Sequence, residues 1–190
     1  MVEKIAAGTR ERLLVAAERL LLVEPYDEVS VRGICTAAGA NPAAVHYHFG
    51  SKEALVGALL EDRLGPVWFD QLTELTAAPA PVADLVDAVL TPFTELAADP
   101  VGRLHLRLLA RFVMRREAAV WQQHWFRMDS WAGLLPGVGE SEAGRRWMLA
   151  FELIITQFGS TRDREPSVRA VATLRDFVVA GLTAPTGESQ

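Results

Sequence analysis

The stretch from Ser30 to Leu55 constrains this chain more than any other. Val31, Ile34, Cys35 and Ala38 recur at i, i+3, i+4 and i+7, the spacing of one buried helix face. Ser30 stands before them as N-cap. Gly39 follows, where a left-handed C-cap is needed. Asn41-Pro42 then reads as an N-cap with proline at the first helical position, so a second short helix is expected from Pro42 to about His48. Helix, glycine-containing turn and helix make the spacing of a helix-turn-helix. Gly50-Ser51 breaks the chain again, and a further helix is expected from Lys52 towards Leu64. Two helices this short need a third to bury them. The spacing supplies one over Arg10–Val23, capped by Thr9 and stopped at Glu24-Pro25, with Leu13, Leu14, Ala17, Leu20 and Leu21 as its stripe.

The chemistry of the segment suits a nucleic acid. Pro42, Ala43 and Ala44 give the second helix a small leading edge that can enter a major groove. Tyr47, His48 and Lys52 bring hydroxyl, imidazole and ammonium donors. They stand where one helix ends and the next begins, and free N–H groups there attract anions. Val45 and Phe49, four apart, are the expected core anchors. The plainer alternative makes Tyr47 and His48 packing residues.

The string Thr9-Arg10-Glu11-Arg12-Leu13-Leu14, then Ala38-Gly39 through Tyr47-His48-Phe49, then Ser51-Lys52-Glu53-Ala54-Leu55, resembles the DNA-binding domain of the tetracycline-repressor (TetR) family of bacterial transcriptional regulators. The resemblance covers roughly the first third of the chain. It implies DNA contacts at Arg32, Asn41, Pro42, Ala43, Ala44, His46, Tyr47, His48 and Lys52. His46 stands where that family often has tyrosine. Gly33 replaces a common acidic residue and weakens its helix by about 1 kcal/mol relative to alanine.

Charge qualifies this reading. The chain has 19 basic and 24 acidic residues, a net charge of −5, so a basic coat is excluded. Residues 1–63 hold seven basic and nine acidic side chains, so phosphate neutralisation has to be local and the salt dependence shallow. One cysteine, Cys35, excludes a disulfide scaffold and a thiolate-rich zinc site. His46 and His48 do not share a helix face, and His105 and His124 are each alone, so no metal is expected.

The remainder also has helical spacing and no period-2 alternation, which makes the fold class all-α. Expected segments are Pro66–Ala77, Val82–Ala98, Gly102–Arg116, Ala118–Leu135, Ser141–Phe158 and Ser167–Leu182. Gly65-Pro66 reads as the boundary between a DNA-binding domain over 1–64 and a sensing and dimerisation domain over 65–190. Arg103, Arg107, Arg111 and Arg115 form a row of like charges that something should compensate: carboxylates on a neighbouring helix, a partner subunit or an acidic ligand.

Aromatic residues concentrate in this second part. Trp68, Phe93, Phe112, Trp121, Trp125, Met128 and Phe151 suit the lining of an apolar or aromatic ligand, and equally an ordinary core. Trp147, Phe151, Ile154, Ile155 and Phe158 make one broad apolar face, and Val171, Leu174 and Val178 another. Two such helices from each of two chains would form a four-helix bundle, the dimer usual in the family resembled.

No apolar run approaches the roughly 18 residues that cross a bilayer, and no targeting segment precedes Thr9. The expectation is a cytoplasmic, homodimeric repressor, without cofactor or enzymatic activity, that leaves a palindromic operator when a small molecule binds. A DNA-binding protein of the same fold governed by a protein partner is the alternative.

Overall fold

A computed structural model describes residues 2–115, 121–160 and 166–185, with side chains from Gly8 onwards. Among these residues the fold is all-helical, and its elements fall in two compact units. One runs through Asp62 and includes Trp121; the other begins at Arg63.

The first unit holds α1 (Val2–Val23), α2 (Val31–Ala37), α3 (Ala44–His48) and the start of α4 (Lys52–Leu75). The helix α1 begins well before Thr9, which therefore lies inside it and accepts a hydrogen bond from Arg12 Nη2 at 3.2 Å instead of capping. Nothing between Val2 and Gly8 breaks a helix strongly enough to stop it. Leu13, Leu14, Ala17 and Leu21 are buried with Ile34, Cys35, Val45, Leu55 and Leu59 in the core of this unit. Ser30 caps α2 as expected, accepting from the Gly33 N–H at 3.0 Å. Gly39 has φ +58°, the left-handed conformation that turns the chain from α2 towards α3.

Regular helix α3 starts at Ala44, two residues after the expected Pro42. Proline has no N–H to offer a cap, so Ala43 is the first residue that can donate. Its N–H bonds Asn41 Oδ1 at 2.9 Å, and the Ala44 N–H bonds Asn41 O at 2.8 Å.

Gly65-Pro66 does not end a helix. The helix α4 passes through both residues to Leu75. An interior proline costs about 3 kcal/mol. Leu64, Trp68 and Leu72, at i, i+4 and i+8, bury one face of α4 and offset that cost, while Pro66 lies on the exposed side. Trp68 Nε1 also donates to Val89 O at 3.1 Å. Gly65 answers to a close approach: a Cβ there would lie 2.0 Å from Gln123 Oε1.

The second unit continues with α5 (Val82–Ala98), α6 (Pro100–Arg115), α7 (Asp129–Ala132), α8 (Glu140–Gly159) and α9 (Val168–Thr183). α6 packs against α5 and α8, and α9 packs against α5 and α8. Two polar clamps fix α9. Arg175 bonds Asp87 on α5 in a fork at 2.6 and 2.7 Å. Arg146 on α8 donates to the Leu182 and Ala184 carbonyls at the C-terminus of α9, where a cation complements the helix dipole.

The single helix expected over Ala118–Leu135 is absent among the described residues. A 3-10 turn (His124–Phe126) and α7 stand there, with extended backbone at Gln123 and Arg127. Local side-chain bonds compete with the helix ladder. Ser130 Oγ donates to His124 O, Arg127 pairs with Asp129, and Trp131 Nε1 donates to Trp125 O at 3.1 Å.

Candidate nucleic-acid interface

The exposed side of α3 and of the turn before it consists of Asn41, Pro42, Ala43, His46 and Tyr47. Tyr47 is 80% exposed, and among the described residues its hydroxyl has no partner. Its ring stands edge-on to His48 at 4.9 Å, which narrows its freedom. His46 Nδ1 lies 2.8 Å from Gly50 O, so the backbone after α3 orients the imidazole. Ala44 corrects the sequence reading. It is 8% exposed and faces the core beside Val45, so its methyl group cannot meet a base edge.

Arg32 is exposed on α2, with Thr36 exposed one turn further on, its hydroxyl donating to Arg32 O at 2.9 Å. Beneath α3, Arg10 lies over the Phe49 ring at 5.3 Å. Phe49 is only half-buried, so Val45 alone is the deep anchor of α3.

Lys52 is more engaged than the sequence implies. Its Nζ donates to Tyr26 O and Val29 O, both at 2.9 Å, and sits 4.2 Å from the Tyr26 ring centre. One of its three N–H donors remains for a phosphate. This ties the first turn of α4 to the loop between α1 and α2. The Glu53 carboxyl beside it is held below the usual carboxylate range, first by a backbone N–H, then by the Ser51 hydroxyl and Lys52. Nothing in a loop of mixed polarity marks the Tyr26 carbonyl and ring as the seat of a distant lysine.

Ring contacts among the described residues put several of the residues expected to line a ligand site in two runs. Trp68, Phe93 and Phe158 form one run of rings, with centres 5.2 and 5.4 Å apart. Trp125, Trp131, Trp147 and Phe151 form another, with centres 4.7–5.7 Å apart. Phe112 is buried on α6, Met128 is half-buried, and Trp121 groups with the first unit.

The expected dimer face also differs. Trp147, Ile154, Ile155, Phe158, Leu174 and Val178 are buried within the single chain, and Phe151 and Val171 are partly buried. The faces of α8 and α9 that looked too wide for one chain are used by packing against α5, α6 and each other. Large apolar side chains left exposed are instead Met148, Leu149 and Leu153 on α8 and Val168 and Phe177 on α9.

Residues 13–59 match the model of bacterial regulatory proteins of the tetR family, the same helices that hold the exposed α3 edge. The helix-turn-helix of this chain is similar to that of the tetR family. The HTH-type transcriptional regulator UidR of Escherichia coli K12 is 34% identical over 55 residues, 29% of this chain and 28% of UidR. The chain thus spans under a third of that relative's length. The uncharacterized HTH-type transcriptional regulator TtgW of Pseudomonas putida is 28% identical over 123 residues, 57% of this chain and 92% of TtgW. NalD of Pseudomonas aeruginosa, the secondary repressor of the MexAB-OprM multidrug efflux pump, superposes with a TM-score of 0.62 at 24% identity. That match covers 96% of this chain and 99% of NalD, and it shows a shared fold. Among the described residues no helix is long and apolar enough to cross a membrane.

Proposed function

We propose that the chain is a cytoplasmic transcriptional repressor that binds a palindromic operator as a homodimer and leaves it when a small apolar or aromatic molecule binds the second unit. The observation that carries the DNA-binding part is the exposed edge Pro42, Ala43, His46 and Tyr47 on a TetR-type helix-turn-helix. This edge reads bases in the major groove. Arg32, His48 and the spare donor of Lys52 meet phosphate and set register without adding sequence information. Ala44 supports the edge from below.

The homodimer reading is supported by the exposed apolar side chains of α8 and α9, which would meet their counterparts across a two-fold axis. A two-fold protein reads a two-fold site, with half-site centres about 34–36 Å apart or multiples of that. The effector reading rests on the concentration of rings in the second unit. NalD is a repressor of an efflux pump; repression is carried over to this chain, its target is not. The function asks for binding energies and no covalent step.

The test is selection of bound sequences from random duplexes, followed by a gel shift with and without apolar aromatic compounds. A palindromic consensus released by one of them supports the reading. A consensus unaffected by any compound, yet released by a cell extract only while its proteins are intact, favours control by a protein partner.

A further inference from the structure

The structure points to a second feature of the ring cluster formed by Trp125, Trp131, Trp147 and Phe151. Trp131 sits between its two tryptophan neighbours, with ring centres 5.2 Å from Trp125 and 4.8 Å from Trp147. Its own indole N–H is used, donating to Trp125 O at 3.1 Å. The N–H groups of Trp125 and Trp147 are not. Both Nε1 atoms are buried, and among the described residues no acceptor reaches either. Trp147 is 1% exposed, so solvent does not reach it. Trp68, in the other run of rings, has its N–H satisfied at Val89 O.

A buried donor without a partner destabilises a fold, and most are found paired. Two within one cluster, both on rings packed against a tryptophan that is paired, call for an explanation. Phenylalanine or leucine would fill apolar space without that cost. The segment from His124 to Leu135, which brings Trp125 and Trp131 to α8, is short turns of helix and not a rigid rod. Its rings can therefore part without unwinding a long element.

We propose that this cluster is the effector site, and that its ligand is a flat aromatic molecule with a neutral hydrogen-bond acceptor, such as a ketone, ester or amide oxygen, received by Trp147 Nε1 and Trp125 Nε1. The proposal rests on the sensor reading above and narrows it. The acceptor is neutral because both donors are neutral indoles, and a carboxylate buried among rings would lack a cation. His124, whose ring stands 4.7 Å from that of Trp125, is exposed with its Nδ1 3.1 Å from Ser130 Oγ, and Arg127 is exposed and already paired with Asp129. Arg145 and Arg146, which precede Trp147, are committed to Glu142, Ser141 and the end of α9.

Three probes that share one ring system separate the parts of the claim: naphthalene, acetylnaphthalene and naphthoate. The readout is the set of indole N–H resonances in protein labelled with nitrogen-15, assigned by single Trp→Phe variants. In the free protein the Trp125 and Trp147 resonances should lie upfield of those of Trp68 and Trp131, as expected for unbonded N–H groups. Acetylnaphthalene should move both downfield, naphthalene should not, and naphthoate should bind at least tenfold more weakly, by about the discrimination one polar mismatch gives. Trp147→Phe should lower the affinity ratio of acetylnaphthalene to naphthalene by about tenfold, whereas Trp131→Phe should leave that ratio unchanged.

Downfield Trp125 and Trp147 resonances in the free protein would show the donors already bonded to water and overturn the proposal. So would the absence of any shift with acetylnaphthalene at its solubility limit. The operator provides the second arm. If acetylnaphthalene shifts Trp147 but leaves operator affinity unchanged, the site stands and the sensor reading fails. If a compound releases operator while both indoles stay unmoved, the sensor reading stands and this site is wrong.

Discussion

Ala43 and Ala44 are adjacent, chemically identical and opposite in consequence. Ala43 is exposed on the edge of α3; Ala44 is buried under it. Ala44→Glu should destabilise the first unit by about 3–5 kcal/mol, because it buries a charge without a partner. Ala43→Gln should leave the melting temperature within a degree or so of the unaltered protein and change which base is preferred at one operator position, since surface changes are about 0.5 kcal/mol or less. Thermal melts and competition between operator variants check both. If Ala43→Gln melts early while Ala44→Glu does not, the orientation of α3 is wrong. Lys52 combines two roles that separate by salt. Lys52→Ala should lower stability through its lost bonds to Tyr26 O and Val29 O. If its third donor meets phosphate, the slope of log affinity against log salt should also fall by about 0.9. An unchanged slope, measured below the melting range of the variant, removes Lys52 from the DNA contacts and leaves it as a tether.

At the scale of elements, the exposed and buried faces of α8 predict different failures. If the proposed dimer forms through this face, Leu149→Asp with Phe177→Asp should give a folded monomer, because both side chains are exposed in the single chain. Ile154→Asp should unfold the second unit, because its side chain lies in the chain's own core. Sedimentation and circular dichroism together decide. A double variant that stays dimeric places the two-fold contact elsewhere.

The fork between Arg175 and Asp87 makes another element-scale prediction. The Arg175 guanidinium, first by its hydrogen bonds and then by its charge, holds the Asp87 carboxyl below the usual carboxylate range, and Asp87 in turn raises the guanidinium. A carboxyl lowered in the folded state contributes stability above its unfolded pKa and loses it as pH falls through the folded value. Asp87→Asn should therefore melt lower than the unaltered protein at neutral pH. The difference should shrink as pH drops through the ordinary carboxylate range and below. Both groups are partly exposed, so the effect is modest and weakens with salt. A gap that is constant with pH would assign it to packing.

For the whole molecule, the proposed function is a coupling of two binding events. The helix α4 holds residues of both units, so under that proposal it would give effector binding a covalent route to the reading edge. A coupling of about 1–3 kcal/mol would change operator affinity about 5- to 150-fold. Linkage requires the reverse by the same factor: the effector must bind the operator-bound protein correspondingly more weakly. Titration of tryptophan fluorescence with and without operator measures both sides. Equal effector affinity in the two titrations would separate binding from regulation.

The sequence by itself determined the helical class, the helix-turn-helix and most of the breaks between helices. Those features come from short-range physics: the spacing in α2, the left-handed turn at Gly39 and the Ser30 cap. Only the tertiary structure decided which face of a helix is covered. Gly65-Pro66 has the local chemistry of a stop, yet burial of Leu64, Trp68 and Leu72 carries the helix through it. Trp121, Trp125, Met128 and Trp131 have the spacing of a stripe, yet the described part of that segment folds into turns that stack Trp131 on rings from α8. Ala44 and Ala43 cannot be told apart by type, and the face of α8 given to a partner chain is its own core. In each case a preference of a few tenths to a few kcal/mol over a few residues is outweighed by burial against residues far along the chain, and periodicity does not record which neighbour arrives.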